Sequence, residues 1–248
     1  MKISVIAVCK NEERMLPWFL RHYAFADEIH IHDNGSTDGS LGIMAANPKV
    51  SVSNLITEGL DDGVIVAVKN CYYKTLDSDW FIIVDIDEFV FIREYGGKPC
   101  DIRRYLEMCQ AGDITLPQVS GYQMVGNGWP EDDGKSLLVD ICKIGAPDAF
   151  FSKRVVVQKR VNINYEVGCH RCNPTGFVVH SNDISLKLLH YHWLDEGWRK
   201  KRFDEACRNH SRWNIENLGI TPERICAERK LHIDTLARYR KEARNIVD

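Results

Sequence analysis

The feature that most constrains this chain is a recurring pattern in which a short strand-like run ends abruptly in carboxylates and amides. Ile3-Ser4-Val5-Ile6-Ala7-Val8 runs into Cys9-Lys10-Asn11-Glu12-Glu13. Glu28-Ile29-His30-Ile31-His32 runs into Asp33-Asn34-Gly35-Ser36-Thr37-Asp38-Gly39-Ser40, and Trp80-Phe81-Ile82-Ile83-Val84 into Asp85-Ile86-Asp87-Glu88-Phe89. In the first and third of these the apolar residues are consecutive rather than alternate, which suits strands buried on both faces, as in a parallel sheet; the second reads as a strand by alternation. Between these runs the pattern predicts a helix from Met15 to about Tyr23 and a strand over 50–55. A second helix is predicted within 61–76, where Val64, Val68, Cys71, Tyr72 and Leu76 recur at helical spacing; Ser36 or Asp38 is the expected cap of a short helix between the two. The alternation β-α-β-α-β-α-β predicts an α/β domain with a mostly parallel central sheet flanked by helices. Ligands bind beyond the carboxyl ends of such strands, where the polar clusters after the first, second and fourth strands all fall.

The second half is less regular. Strands are expected at 114–116, 155–159 and 186–193, a loop at 126–134, and helix from Glu196 onward. Thr221 is the expected cap of a last helix that begins with Pro222 and runs to about Asn245. The chain has 248 residues, no internal repeat and no low-complexity linker, so the expected organisation is a sheet domain over 1–195 with C-terminal helices, 196–248, packed on it. A net charge of -3 gives no reason to expect nucleic acid as a partner. Nine cysteines, an odd number with several inside apolar stretches, argue for a reducing compartment. With no basic-then-apolar leader and no apolar stretch near the ~20 residues that span a bilayer, the expectation is a cytoplasmic protein. The basic residues Arg199, Lys200, Lys201, Arg202, Arg238, Arg240, Lys241 and Arg244 suggest peripheral contact with the cytoplasmic face of a membrane; a solvated helix face is the competing explanation.

Asp85-Ile86-Asp87 carries the sharpest chemical signal. On a strand, alternate side chains share a face, so the two carboxylates are expected to project together. They repel unless a cation lies between them or one is protonated, which suits Mg²⁺ or Mn²⁺ with room for phosphate oxygens. An ordinary solvated strand end is the plain alternative. Two other classes compete. Cys169-His170-Arg171-Cys172 with His190 and His192 offers zinc ligands, although not as two well-spaced pairs. A nucleotidyltransferase also pairs carboxylates around Mg²⁺, but Cys9–Glu13 contains no glycine with which to cradle phosphate.

Taken in order, the first strand into Cys9-Lys10-Asn11-Glu12-Glu13, then Asp33–Ser40, then the strand into Asp85–Phe89 resemble glycosyltransferase family 2 and its relatives. The three motifs stand in register over about the first 90 residues. The resemblance implies a GT-A fold, with 1–95 as the nucleotide-sugar-binding half and 96–195 as the acceptor-side half. It further implies metal-dependent, inverting transfer of a sugar from a nucleotide diphosphate sugar to a glycan or lipid-linked acceptor. Carried over by position, Asp33 reads the base, Cys9 and Asn11 pack around base and ribose, and Lys69 faces the donor phosphates, an exposed helix lysine being the plain alternative. Lys153 is expected to add further positive charge toward the donor. Asp85 approaches ribose and metal, and Asp87 ligates the metal. Residues 120–124, 164–174 and 189–193 resemble a narrower set of these enzymes. Relatives commonly supply a late histidine ligand; His190 and His192 both qualify, His192 is favoured, and a carboxylate–imidazole shell suits Mn²⁺ better than Mg²⁺. His170 is implied as a contact to donor sugar or acceptor. The departure concerns the catalytic base: Glu131 and Asp132 come sooner after Asp87 than the family pattern has its acidic pair, and Glu166 is the other candidate. That departure leaves a non-catalytic sugar-binding relative open.

Overall fold

The computed structural model describes residues 1–208 and 210–248; the side chains at 99, 206, 208, 222, 225, 226 and 228–233, Cys226 among them, lie outside the described residues. The continuous apolar runs form β1 (Ile3–Cys9) and β4 (Trp80–Ile83), the alternating run forms β2 (Glu28–Asp33), and β3 (Val50–Asn54) completes a run of parallel strands. Ile3, Val5, Ala7, Ile29, Ile31, Trp80 and Ile82 are wholly enclosed, as strands covered on both faces require. The connecting helices are α1 (Leu16–His22), α2 (Ser40–Ala45) and α3 (Asp62–Cys71). Asp61 caps α3, its Oδ1 accepting from the Val64 amide at 2.9 Å. At α2 the residue before the helix is Gly39, and Asp38 instead accepts from the Ser40 amide at 3.0 Å.

After β4 come β5 (Glu88–Phe91), a short hairpin of β6 (Glu94–Tyr95) and β7 (Lys98–Pro99), α4 (Ile102–Ala111), β8 (Ser120–Val125), α5 (Leu138–Ile141) and β9 (Ile144–Pro147). Then follow β10 (Val156–Gln158), a short pair of β11 (Val161–Asn162) and β12 (Thr175–Gly176), β13 (Lys187–Trp193), α6 (Glu196–Arg208), α7 (Arg212–Leu218), α8 (Pro222–Glu242) and β14 (Arg244–Asn245). β10 joins the first sheet antiparallel to β4, giving the order β10-β4-β1-β2-β3. A second five-stranded sheet follows, in the order β14-β9-β8-β13-β5, of which the sequence pattern indicates β13 but not its partners. Its inner face carries Phe89, Met124, Leu189 and Tyr191 into the same core as the first sheet.

Three expectations are corrected. Asp85 and Asp87 do not lie on a strand: β4 ends at Ile83, and a turn carries the chain from the first sheet into the second. The turn is closed by Glu88, whose amide donates to the Asp85 carbonyl at 3.0 Å while its Oε2 accepts from the Asp85 amide at 3.0 Å. Residues 114–116 contribute an isolated bridge from Leu116 to His180 rather than a strand. The last helix ends at Glu242, because β14 pairs with β9 and draws Ile246 and Val247 into the core. Thr221 does cap α8, accepting from the Arg224 amide at 3.2 Å.

α1 packs through an aromatic cluster in which the ring of His22 meets Tyr23 and Phe89, at centroid distances of 4.8 and 4.9 Å. Nε2 lies 2.8 Å from the Val90 carbonyl, to which the neutral ring donates, and Nδ1 is enclosed without a partner. Burial pushes this imidazole down from 6.5 to about 4, against the opposing effect of the Val90 bond. Between those values the unfolded chain binds a proton that the folded chain refuses. The stabilisation is therefore complete above the unfolded value and is lost as pH falls toward the folded one, by up to about 3 kcal/mol. His22→Phe is expected to reduce the loss of stability between about pH 7.5 and about pH 4.5, read as the shift in urea midpoint between the two.

Candidate active site

The polar clusters that follow β1, β2 and β4 meet the second sheet around a cavity of about 570 Å³. Val8, Lys10, Glu12 and Asn34 form the rim on the first sheet, and Asp85, Ile86 and Asp87 form the floor at the turn. Gln123 of β8 and His190, His192 and Trp193 of β13 face them, with Phe151, Lys153, Gly168 and His170 along one wall. Arg202, Thr235 and Tyr239 arrive from the C-terminal helices.

Two buried lysines hold one end of the floor. Lys69 Nζ donates to Asp85 Oδ1 at 2.5 Å; Lys153 Nζ donates to Glu88 Oε1 at 2.5 Å and lies 3.6 Å from Asp85 Oδ2. Lys69 is the buried residue of α3, not the exposed helix lysine that its surroundings in sequence equally allowed. Burial disfavours its charge most strongly of any single cause, but Asp85, with Cys169 and Glu88 adding to it, holds it above the ordinary lysine value. In turn, burial would raise Asp85, and the Lys69 and Lys153 ammonium groups override it, bringing the carboxyl down to about 2.

The other end is built by β13. His190 and His192 share a face of that strand, and their Nε2 and Nδ1 atoms lie 3.4 and 3.2 Å from Asp87 Oδ2. Asp87 is itself pinned to the strand, its carbonyl accepting from the Tyr191 amide at 2.8 Å. Burial would raise its carboxyl, but the two imidazoles hold it well below the ordinary range. His192 is pushed down to about 4, chiefly by burial. Among the described residues Asp87, His190 and His192 form the group able to hold a metal ion, with one ligand atom from each, all within 4.8 Å of one another. One carboxylate oxygen and two imidazole nitrogens make a donor set that Mn²⁺ fits. Asp85, expected as a second carboxylate ligand, is not in this group because the lysines claim it. Neither Cys169, buried, nor Cys172, half-buried, joins the histidines, so the residues of the zinc alternative do not assemble into one site.

The remaining predicted residues separate clearly. Cys9 is buried, its thiol pushed up to about 12 by burial, and it does not line the cavity. Asn11 stands at φ 54°, its side chain accepting from the Thr37 amide at 2.8 Å and its amide donating to Ser36 Oγ at 2.9 Å. Asp33 Oδ2 accepts from the Gly35 and Ser36 amides at 3.1 and 3.0 Å, and Oδ1 is enclosed without a partner. Asn11 therefore ties the two loops together and Asp33 closes its own, and neither lines the cavity. His170 does line the cavity, stacked on Phe150 at 3.9 Å and pushed down to about 4 by burial. The three expected bases do not. Glu131 and Glu166 are exposed on loops, and Asp132 is taken by Arg21 of α1 at 2.6 Å.

Several cavity residues carry no distinct signal in the sequence. Glu12 stands in the first polar motif, yet its role follows only from Arg202 of α6, which pairs with its Oε1 across the cavity; burial pushes the Glu12 carboxyl up to about 8 despite that partner. Asp62 accepts from Asn214 Nδ2 at 2.9 Å. Within the basic run, Arg199 is 6% exposed and lies over the Trp193 ring at 3.3 Å. Two of these four basic residues thus point inward, while Lys200 and Lys201 are exposed. No helix among the described residues is long and apolar enough to cross a membrane.

No model of a protein family and no curated protein sequence matches this chain. Solved structures do. The 1–349 fragment of TarS from S. aureus aligns over 90% of this chain and 76% of its own, at 15% identity and a TM-score of 0.50. In a longer TarS structure the same 90% of this chain spans 46% of that one, at 15% identity and a TM-score of 0.49. The TarS fragment has also been crystallised in complex with UDP-GlcNAc and with UDP. The first of these likenesses, with the sheet order above, establishes the GT-A fold.

Lys153 and Glu88 have side chains 4% and 1% exposed. Removing one partner of such a pair strands the other, so Lys153→Met is expected to cost about 3–5 kcal/mol. Lys153→Met combined with Glu88→Gln, which keeps the acceptor for the Asp85 amide, is expected to recover part of this; urea unfolding of both variants is the measurement.

Proposed function

We propose that this chain is a glycosyltransferase that takes a sugar from a nucleoside diphosphate donor to a hydroxyl of a glycan or lipid-linked glycan. The observation that carries this reading is one cavity at the carboxyl edge of a GT-A sheet, in which the Asp87–His190–His192 group adjoins the Lys69–Asp85–Lys153 cluster. The complexes of TarS with UDP-GlcNAc and UDP support the donor class.

Asp87, His190 and His192 are the residues that would hold Mn²⁺, or Mg²⁺ less well. A bound divalent ion supplies Lewis-acid neutralisation of the departing diphosphate. The protein's own part is preorganisation. Lys69 and Lys153 are fixed positive charges, already desolvated and held by Asp85 and Glu88, so they need no reorganisation when charge develops nearby. Arg202 adds a further cation to the lining of the cavity. The family resemblance makes the transfer inverting, with the acceptor hydroxyl entering opposite the diphosphate and giving its proton to a carboxylate. Of the carboxylates that line the cavity, Glu12 and Asp62 are the two held by neither the lysines nor the histidines.

A thermal-shift series with UDP, GDP, dTDP and CMP, each with and without Mn²⁺, tests the reading. One diphosphate is expected to stabilise the protein only with metal, by about 2.7 kcal/mol at a hundredfold excess over its dissociation constant. Asp87→Ala, or chelation with EDTA, is expected to abolish that shift, and the variant to lose at least about a hundredfold in turnover. Equal melting temperatures with every nucleotide, and an Asp87→Ala protein as active as wild type, would overturn the reading.

A further inference from the structure

The two histidines beside Asp87 are supported differently, and the support of His190 is directional. His190 Nδ1 lies 2.8 Å from Gln123 Oε1, both residues buried. Gln123 Nε2 donates to Asp148 Oδ2 at 3.3 Å, and the Tyr239 hydroxyl on α8 donates to the same oxygen. Asp148 Oδ1 accepts from the Phe150 amide at 3.0 Å, so this side chain acts as an acceptor toward all three donors.

Donor and acceptor chemistry then propagates along the chain of contacts. Only the NH₂ of a carboxamide donates, so the group of Gln123 that faces Asp148 is its nitrogen, and its oxygen faces His190. That oxygen only accepts, so the hydrogen of the neutral His190 ring sits on Nδ1 and the lone pair on Nε2. Nε2 is the atom 3.4 Å from Asp87 Oδ2. A lone pair facing a carboxylate oxygen is an arrangement that a cation between them relieves.

Packing fixes the geometry of this chain. A Cβ at Gly121 would collide with the backbone of Phe151, and the Asp148 amide donates to the Gly121 carbonyl at 2.9 Å, so β8 and the 148–151 turn abut directly. That contact brings Asp148 beside Gln123. Phe151 then stacks on His190 at 4.4 Å and 18°, which holds the plane of the ring.

We propose that Gln123, Asp148 and Tyr239 are positioning residues that fix the tautomer of His190, so that its Nε2 is presented with Asp87 to a divalent cation. This rests on the metal reading of the site given above. It makes His190 a ligand whose tautomer is set by neighbours that are not themselves ligands, and ties α8 of the C-terminal segment to the orientation of a residue on β13.

Nitrogen NMR of the histidines in metal-free protein at about pH 9, above the ordinary imidazole range, reads the tautomer without any metal. The expected result is a hydrogen on Nδ1 of His190 and none on Nε2. Gln123→Met, close in volume, is expected to shift the hydrogen toward Nε2, where Asp87 accepts it, and to weaken Mn²⁺ binding by about ten- to a hundredfold in calorimetry. Tyr239→Phe is expected to weaken Mn²⁺ binding in the same direction and by less. A wild-type ring protonated at Nε2 would overturn the proposal, as would variants that keep both the tautomer and the Mn²⁺ affinity of wild type. If Gln123→Met fails to fold, the wild-type spectrum and Tyr239→Phe still decide. Wild-type protein that takes up no Mn²⁺ while showing the Nδ1 tautomer would instead overturn the metal reading, so the two failures are separable.

Discussion

The structure hinges on the charge cluster at the turn between the two sheets. Beyond β4 the turn carries Glu88, 1% exposed, to a place walled by both sheets, where an unpaired carboxylate would be costly, with Asp85 beside it on the cavity floor. Lys69 from α3 and Lys153 from the segment before β10 supply the matching charges, and neither lysine would be tolerated there without them. Much else depends on this arrangement. Glu88 closes the turn that redirects the chain into the second sheet, and Asp85, held by the lysines, leaves Asp87 to face the histidines of β13. The floor of the cavity therefore has a cationic end and a metal-capable end, separated by a single residue of main chain.

Around that floor the cavity is assembled from distant parts of the chain. Glu12 and Arg202 are 190 positions apart, yet they pair across it. α6 is further seated by Trp198, whose ring meets Trp129 of the 126–134 loop at 4.9 Å, and the Arg14 guanidinium lies over the Trp129 ring at 5.3 Å. α8 reaches the site through Tyr239 and Asp148. The C-terminal helices are thus part of the wall, and the basic residues they carry divide between that wall and solvent.

Much of the first sheet is legible in the order of residues alone. Strands buried on both faces need consecutive apolar residues, and the runs at 3–8 and 80–84 could satisfy that need in few other ways. The run at 28–32 reads as a strand by alternation, and the burial of His30 and His32 on its other face is decided by the fold. Caps are legible where their partners are local, as with Thr221 and the Arg224 amide. So is the shared face of His190 and His192, since alternation along a strand depends on nothing outside it. The same rule fails at Asp85 and Asp87, because it presupposes a strand and Glu88 makes a turn there instead. The second sheet is hidden because its strands meet across long sequence separations: β5 pairs with β13 through Phe89 and Leu189, which no local pattern connects. Glu131, Asp132 and Glu166 look in sequence like any other carboxylates, and only position separates them from Glu12 and Asp62.

What the sequence determined by itself is therefore what short-range physics governs: which segments are buried strands, which are amphipathic helices, where caps fall, and that three polar clusters gather at one sheet edge. The tertiary structure alone decided which charges meet. A lysine on a largely apolar helix reads as a solvent-facing residue until the fold places a carboxylate 2.5 Å from its ammonium. Coulombic and hydrogen-bond energies depend on distance through space and on the exclusion of water, and a linear order of residues specifies neither. That is why Asp85 reads as a metal ligand from its spacing and yet stands in the grip of two lysines.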